Sequence, residues 1–486
     1  MQATAEMGAI GMERRWRILA ITSVGVFMAS LDLFIVNIAF PDIALDFGGA
    51  SLADLSWVLN AYAIVFAALL VPAGRVADRI GRKRVFVSGL LVFTLASGAS
   101  ALASTVPMLV AARVVQAAGG AMMMPASLGL VLPAFPAEQR PVAVGVWSAV
   151  GGVAAALGPP LGGLLVELSW RWIFLVNVPI GLVVAAVALR SLDEVREPER
   201  GARPDALGAV TFAAAIALLT AAIVEGPDWG WGSARVAGGF AAAAVLVAVF
   251  LRRSARHPAP VIELPLLRVR SFAMGNLAAL VFFAGFGAML LSGVLLLTEV
   301  WRYSVLHAGL ALAPGPLTAA IFAAPGGRLG ARFGQRYVAA AGGLAFAVSF
   351  AWLIAGVGAT PHYASDFLPA FVLGGAGVGL TLGTLPAAVT ASLPSERFAT
   401  GTAVFGMSRQ LGSAIGVAVL IAILADPSPA ELLPALKDGW RFAAGTGVAA
   451  MLASLAIGPV RQRADAEPPA PQRARGPEPA PAPAGA

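Results

Sequence analysis

The chain has 486 residues, of which 58% are hydrophobic and only 12% are charged, with a net charge of +7. It has no cysteine, three widely separated histidines and two lysines that do not fit a phosphate-binding loop. Thiol chemistry, a metal centre and ATP hydrolysis are therefore excluded, and the sequence does not predict an enzyme.

Apolar segments of about 20 residues, long enough to cross a bilayer, recur along nearly the whole chain. The sequence therefore predicts an all-α polytopic membrane protein with fourteen transmembrane helices. The predicted spans are 18–40, 53–74, 85–104, 108–132, 142–166, 172–190, 205–225, 235–252, 272–298, 306–326, 337–357, 367–392, 399–424 and 440–459. No removable signal peptide is predicted, and the Pro- and Ala-rich tail 461–486 is predicted to be disordered.

The basic residues indicate the orientation of these spans. If the N-terminus is cytoplasmic, 26 of the 33 Lys and Arg residues lie on the cytoplasmic side and five on the outer side. This asymmetry predicts that both termini are cytoplasmic. The positive charge is accordingly expected to face the lipid bilayer, and no nucleic-acid partner is predicted.

A repeated segment indicates how the spans are organised. GRVADRIGRKR (74–84) has a weaker copy, GRLGARFGQRY (327–337), in which Ala331 replaces the acid. Each copy follows the second span of its own half, which predicts six helices, two inserted helices and six more. The predicted divisions are a cytoplasmic N-terminus (1–17), a six-helix bundle (18–190), linkers with two inserted helices (191–271), a second six-helix bundle (272–460) and the tail.

Several segments carry a resemblance to a known family. They are LDLFIVNIAFP (31–41), the repeated segment at 74–84, RVVQAAGGAMMMP (113–125), the glycines of 145–163, WRWIFLVNVPIG (170–181) and RQLGSAIGVAV (409–419). Together they resemble the major facilitator superfamily and, within it, the fourteen-span drug:proton antiporter family. Phe34, Ala117 and Ala154 depart from the family pattern.

The resemblance implies a major facilitator fold and a function. It implies a proton-coupled antiporter that exports small amphipathic compounds, such as drugs or antibiotics, by alternating access. Such a protein needs no cofactor, because the proton gradient drives it, and it is expected to work as a monomer in the cytoplasmic membrane. The use of Arg in place of Lys, with many Ala and Gly residues, is typical of a GC-rich bacterial genome. A solute:proton uptake symporter and a non-transporting membrane sensor on the same fold remain alternatives.

Two charged residues inside spans are candidates for proton coupling. A charge in mid-span is costly, so Asp32 is expected to face a cavity and to take up and release protons. The alternative is a structural role for Asp32 in helix packing through Asn37. For Arg113 the resemblance implies an inward arginine that tunes proton exchange, and the alternative is a side chain that snorkels outward.

Two glycine-containing motifs are candidates for conformational change. The resemblance implies that the loop motif between the second and third spans is a conformational latch; its residues are Gly74, Asp78, Arg79, Gly81, Arg82 and Lys83. The antiporter motif of the fifth span comprises Gly145, Gly158, Pro159, Gly162 and Gly163. Topology anchoring is the alternative for the first motif, and close helix packing with a proline kink is the alternative for the second.

The remaining candidates are polar residues expected near a substrate cavity: Asn37, Gln116, Glu299, Arg409 and Gln410. Glu299 ends the ninth span, where simple solvation is an equal alternative, and Gln116 is expected to share a face with Arg113. Trp170 and Trp172 are expected to belong to an interfacial aromatic belt.

Overall fold

A computed structural model describes residues 2–48, 50–196, 202–394, 397–425 and 427–458, and every regular element in these parts is a helix. The tail predicted to be disordered lies outside the described residues, as does part of the linker that follows the sixth span. The described helices account for all fourteen predicted spans in the predicted order.

The first half of the chain forms six long helices. They are α1 (Gln2–Ile38), α2 (Leu52–Ile80), α3 (Arg82–Ala101), α4 (Val106–Ala134), α5 (Arg140–Val166) and α6 (Trp172–Leu175 and then Asn177–Ser191). The inserted pair is α7 (Ala206–Val224) and α8 (Ala234–Ser254). The second half contains α9 (Arg270–Leu295), α10 (Val305–Leu312 and then Pro314–Phe333), α11 (Gln335–Gly356), α12 (Leu368–Thr390), α13 (Phe398–Leu424) and α14 (Leu432–Leu455).

Thirteen helices among the described residues are long and apolar enough to cross a membrane. The remaining helix, α14, has 24 residues but carries Lys437, Asp438 and Arg441 in its first half. It packs along α9 and α11. The evidence that α14 is the fourteenth span is therefore its packing against two spanning helices, and its own hydropathy contributes less.

The outer ends of several helices have polar caps. Ser51, Thr105, Ser233 and Ser304 each accept a hydrogen bond from the backbone N–H three residues on, at the starts of α2, α4, α8 and α10. Helix ends leave backbone N–H groups without an intrahelical partner, and such groups are costly near lipid. These caps therefore explain why the helices begin where they do.

The repeat predicted from sequence is visible in the backbone. Gly81 follows the last residue of α2 and has a φ of 121°. The corresponding Gly334 follows the last residue of α10 and has a φ of 98°. Residues other than glycine rarely adopt a positive φ. Each glycine therefore ends one span and allows the next to begin after a single residue.

The two six-helix halves meet mainly where α2 packs on α13 and α5 packs on α10, with smaller contacts of α1 with α9 and α10. Leu70 of α2 packs directly on Gly406 of α13, where an added Cβ would lie 2.7 Å from the leucine Cδ2. The inserted helix α7 packs on α2 and α13, and α8 packs on α7. The inserted pair thus lies beside one side of the seam between the halves.

One expectation for the outer surface is wrong. Trp170 is only 4% exposed and donates a hydrogen bond from Nε1 to Asp46 Oδ2 at 3.0 Å. The neighbouring Arg171 donates to the same oxygen at 2.8 Å. Trp170 therefore fastens the α5–α6 turn to the short outer helix Phe40–Asp46, while Trp172 is exposed as expected of a belt residue.

Candidate functional site

Asp32 of α1 and Arg113 and Gln116 of α4 form a closed polar cluster, which we call the Asp32 triad. Arg113 Nη1 donates to Asp32 Oδ2 at 2.5 Å and to Gln116 Oε1 at 2.8 Å. Gln116 Nε2 donates to Asp32 Oδ1 at 2.9 Å. All three side chains are buried, so both carboxylate oxygens are paired away from solvent.

The spacing of residues along α4 builds this cluster. Arg113 and Gln116 are three residues apart and therefore lie on one helix face, as predicted. Gly120 follows one turn later, and a Cβ there would lie 3.0 Å from the hydroxyl of Tyr62 on α2. The missing side chain at Gly120 lets α2 and its tyrosine approach the triad.

Tyr62 completes the surroundings of the arginine. Its ring lies 4.2 Å from the guanidinium carbon of Arg113, a cation–π arrangement, and the carbonyl of Val58 accepts from Arg113 Nε at 3.2 Å. The buried Tyr62 hydroxyl makes no hydrogen bond among the described residues. Sequence reasoning missed Tyr62, although a tyrosine in mid-span was the available signal.

The structure decides between the alternative positions predicted for Arg113 and for the partner of Asp32. Arg113 points inward and is 1% exposed, so it does not snorkel. Asn37 donates to the carbonyl of Leu33 at 2.9 Å and is not the partner of Asp32. The packing partners of Asp32 are therefore on α4.

The triad lies in the outer half of the span. Asp32 precedes the end of α1 at Ile38 by six residues, or about 9 Å along the helix. Arg113 lies a similar distance from the start of α4 at Val106. Asp32 is therefore closer to the outer end of its helix than to the cytoplasmic end.

The triad has the charge balance needed for a switch. The pair of Asp32 and Arg113 is neutral overall, which makes its burial tolerable. Protonation of Asp32 would leave a buried arginine without its counter-charge, so the local packing would have to change. Such a group can couple a proton to a change of conformation.

The glycines of α5 lie at two interfaces. A Cβ at Gly158 would lie 2.6 Å from the Phe34 Cβ of α1, and one at Gly162 would lie 2.4 Å from Ile38. A Cβ at Gly163 would lie 2.7 Å from the Leu306 Cα of α10, and Pro159 O faces Gly309. Helix α5 therefore packs against α1 of its own half and against α10 of the other half. Gly145 has no neighbour within 4 Å and takes no part in this packing.

The basic motif at 74–84 is mostly helical and not a loop as expected. Residues 74–80 continue α2, and Gly81 alone forms the turn. Gly74 packs on Pro125 of α4, with 3.3 Å from an added Cβ to the proline Cβ. Asp78 accepts from Arg82 Nε at 2.8 Å, and Arg82 Nη1 donates to the carbonyl of Gly129 at 2.9 Å.

An acid that sequence reasoning missed completes this motif. Glu194, just after α6, accepts from the Lys83 backbone N–H at 3.0 Å and forms an ion pair with Arg84. Lys83 Nζ also donates to the carbonyl of Leu189, while Arg79 is exposed. The motif therefore contacts the end of α6, within its own half.

A second missed acid links the two halves at the cytoplasmic side. Glu263, in the segment between α8 and α9, pairs with Arg75 of α2 at 3.3 Å and with Arg397 at the start of α13. We call these three residues the Glu263 bridge. No sequence signal reveals it, because its members are 134 or more residues apart.

The other candidate residues are divided between the membrane centre and its edge. Arg409 and Gln410 lie inside α13, so the predicted span boundary is right. Glu299 lies at the outer end of the ninth span, with 38% of its side chain exposed and an ion pair to Arg302 at 3.5 Å. The described residues contain no cluster of three side chains suited to a metal ion.

Comparisons with known proteins agree on one family. The family model described as Major Facilitator Superfamily matches residues 22–296 and 277–484. The chain is 35% identical over 423 residues to the multidrug resistance protein Stp of Mycobacterium tuberculosis, covering 86% of this chain and 78% of that protein. It is 34% identical over 438 residues to a probable actinorhodin transporter of Streptomyces coelicolor, covering 88% and 75%.

A third relative is the methylenomycin A resistance protein of Streptomyces coelicolor, 34% identical over 407 residues, with 83% of this chain and 84% of that protein covered. Among solved structures, a transporter of the POT family in complex with a thioalcohol-conjugated peptide aligns over 90% of this chain and 94% of its own, with a TM-score of 0.66 and 14% identity. A bacterial homolog of the human lysosomal transporter Spinster aligns over 91% and 95%, with a TM-score of 0.61 and 18% identity. These two structures share the fold.

Proposed function

Because the chain belongs to the Major Facilitator Superfamily, we propose that it is a proton-coupled antiporter that exports small amphipathic compounds across the bacterial cytoplasmic membrane. The observation that carries the proposal is the buried Asp32 triad. A carboxylate inside a membrane bundle is retained despite its cost, and such residues commonly serve proton pathways. The names of the relatives, which include resistance and transport proteins, support export.

In the proposed cycle, Asp32 takes up a proton that enters from the outer side. Protonation removes one charge of the buried pair, and Arg113 and Gln116 lose their charged acceptor. The triad then rearranges, and the change in α1 and α4 is passed to the neighbouring α5. Release of the proton to the cytoplasm restores the ion pair.

Alternating access is proposed to use the seam between the halves. Helix α5 contacts α1 of its own half and α10 of the other through Gly158, Gly162 and Gly163. Close packing of small residues lets helices slide or separate without breaking many side-chain contacts. The Glu263 bridge lies at the opposite, cytoplasmic end of the seam, and the Asp78–Arg82 pair lies on the cytoplasmic side of the first half.

The proton gradient is the energy source in this proposal. One charge moving across 100 mV releases about 2.3 kcal/mol. That free energy supports a concentration ratio of more than tenfold for a neutral substrate. No cofactor is required, and we propose that the monomer is the working unit.

The proposal is tested by transport in proteoliposomes of purified protein. An imposed inward proton gradient is expected to drive substrate out of the compartment that corresponds to the cytoplasm, with ethidium, fluorescein and doxorubicin as probes. Asp32→Asn is expected to abolish gradient-driven transport.

The matched control for this test is Asp205→Asn. Asp205 is another buried aspartate paired with an arginine, Arg253, but it caps α7 away from the triad. Asparagine preserves a helix cap, so this variant should transport normally. Equal activity of the wild type and Asp32→Asn would contradict the proposal.

A further inference from the structure

A second intramembrane cation lies at the seam, in the other half of the molecule. Arg409 is the twelfth of the 27 residues of α13, about 17 Å from the helix start and thus near the membrane centre. Three residues before it, Gly406 packs on Leu70 of α2, and three residues after it, Gly412 packs on the Leu280 carbonyl of α9. The helical turn therefore directs Arg409 between α2 and α9, at the seam where the halves meet.

This arginine has no acidic partner among the described residues. Its Nε is buried and makes no hydrogen bond, and the same is true of Nε2 of the neighbouring Gln410. The helical ranges of α9 to α13 contain no aspartate or glutamate. The acid in the first half, Asp32, is already paired with Arg113 and Gln116. The seam therefore carries one uncompensated positive charge with unused donors.

Aromatic rings extend from this charge toward the first half. The guanidinium carbon of Arg409 lies 4.7 Å from the ring of Phe283 on α9. The Phe283 ring is 5.4 Å from that of Phe286, and Phe286 is 6.3 Å from Phe34 of α1. We call these three residues the phenylalanine row. Rings at these distances offer edges and faces to a flat aromatic ligand.

We infer that Arg409 and Gln410 form the subsite for an anionic oxygen of the substrate, and that the phenylalanine row holds its aromatic part. The inference rests on the proposed function and gives its substrate class: aromatic weak acids whose oxygen is a carboxylate, phenolate or enolate. The guanidinium supplies donors in the planar arrangement that suits a carboxylate. Gln410 adds one amide donor beside it. A cationic drug would instead meet like charge at this point.

Equilibrium binding to the purified full-length protein in detergent, without any gradient, tests the inference. The two probes are fluorescein, a planar aromatic anion at neutral pH, and ethidium, a planar aromatic cation. Fluorescence anisotropy is expected to show fluorescein binding that Arg409→Gln weakens by about tenfold or more. Arg409→Lys should retain part of the affinity, because it keeps the charge and loses the planar donors.

A charge reversal and a control strengthen the test. Arg409→Glu is expected to lose fluorescein and to gain ethidium binding, whereas loss of folding would abolish both. Arg302→Gln, which removes an exposed outer arginine, should leave both affinities unchanged. Fluorescein binding that survives in Arg409→Gln, absence of fluorescein binding to the wild type, or tighter binding of ethidium than of fluorescein would each overturn the inference.

This experiment is independent of proton coupling. Asp32→Asn is expected to bind fluorescein as the wild type does, because Asp32 does not belong to the subsite. A failure of gradient-driven transport with fluorescein binding intact would therefore contradict the proposed function alone. If Arg409→Gln binds fluorescein as the wild type does while gradient-driven transport is intact, the substrate class alone is contradicted.

Discussion

Arg113 is held inside the membrane by favourable contacts on several sides. A lone arginine at the centre of a span costs about 2.5–3.5 kcal/mol on insertion scales. Here the carboxylate of Asp32, the Gln116 amide, the Val58 carbonyl and the Tyr62 ring all face it. The pairing of Arg113 with Gln116 follows from their spacing and was predictable. The partnership with Asp32 was not, because 81 residues separate the two in the chain.

Removal of Arg113 is expected to destabilise the protein strongly. Arg113→Gln leaves a buried carboxylate without its cation, at a cost of about 3–5 kcal/mol. Adding Asp32→Asn removes the unpaired charge, so the double variant should be more stable than Arg113→Gln alone. Thermal unfolding in detergent measures both. A destabilisation of the double variant equal to the sum of the effects of Arg113→Gln and Asp32→Asn alone would show that the two residues do not interact.

Two aspartates of the short outer helix are expected to respond to pH in opposite ways. Burial raises the pKa of Asp42, and the nearby Glu299 of the other half adds to the effect. Hydrogen bonds from Trp170 and Arg171 lower the pKa of Asp46. A raised carboxyl pKa contributes stability below its ordinary value of about 3.9, and this contribution is lost as pH rises through the raised value. A lowered pKa contributes stability above the ordinary value, and it is lost as pH falls through the lowered value.

At neutral pH, Asp42→Asn should therefore raise the unfolding midpoint, and Asp46→Asn should lower it. Both differences should shrink as the pH falls toward about 4 and below. The midpoint measured against pH for the two variants checks this. Changes of the same sign in both variants would contradict the assignment.

At the scale of single helices, α5 shows that one motif has parts with different roles. Gly158, Gly162 and Gly163 contact neighbouring helices closely, whereas Gly145 faces open space. The pattern of small residues predicted close packing, but it could not show which glycines take part, because that depends on the position of α1 and α10. The helical extension of α2 through residues 74–80 was missed for a related reason: charged residues there end the apolar pattern before the helix itself ends.

Gly163→Ala and Gly145→Ala form a matched pair on this helix. The first places a methyl group 2.7 Å from the Leu306 Cα and should destabilise the α5–α10 contact by about 1–3 kcal/mol. The second meets no neighbour and should stabilise the helix by up to about 1 kcal/mol. We expect Gly163→Ala to slow transport and Gly145→Ala to retain it, as measured by unfolding midpoints and transport rates. Identical behaviour of the two variants would refute a packing role for Gly163.

At the scale of the whole molecule, the Glu263 bridge connects the two halves at the cytoplasmic side. Glu263→Gln should weaken both ion pairs and shift the population toward states that are open to the cytoplasm. The chain has no cysteine, so Leu70→Cys provides a unique label at the α2–α13 seam. Glu263→Gln is expected to speed its reaction with a water-soluble maleimide, and Glu299→Gln on the outer side should not. An unchanged rate would exclude a gating role for the bridge.

The order of the fourteen helices and the two-half repeat were predictable from sequence, because bilayer thickness and the positive charges constrain them directly. The contacts between halves were not. They depend on pairs such as Leu70 with Gly406 and Glu263 with Arg397, which no local pattern connects.

Proton counterflow driven by substrate alone is the most direct test of the central claim. Proteoliposomes with a pH-sensitive dye inside and no imposed proton gradient would receive a sudden gradient of a transported probe. Antiport through Asp32 predicts proton movement opposite to the probe in the wild type and in Asp205→Asn, and none in Asp32→Asn. Protons that move with the probe would establish symport, and an unchanged proton signal in Asp32→Asn would show that the Asp32 triad does not carry the coupling.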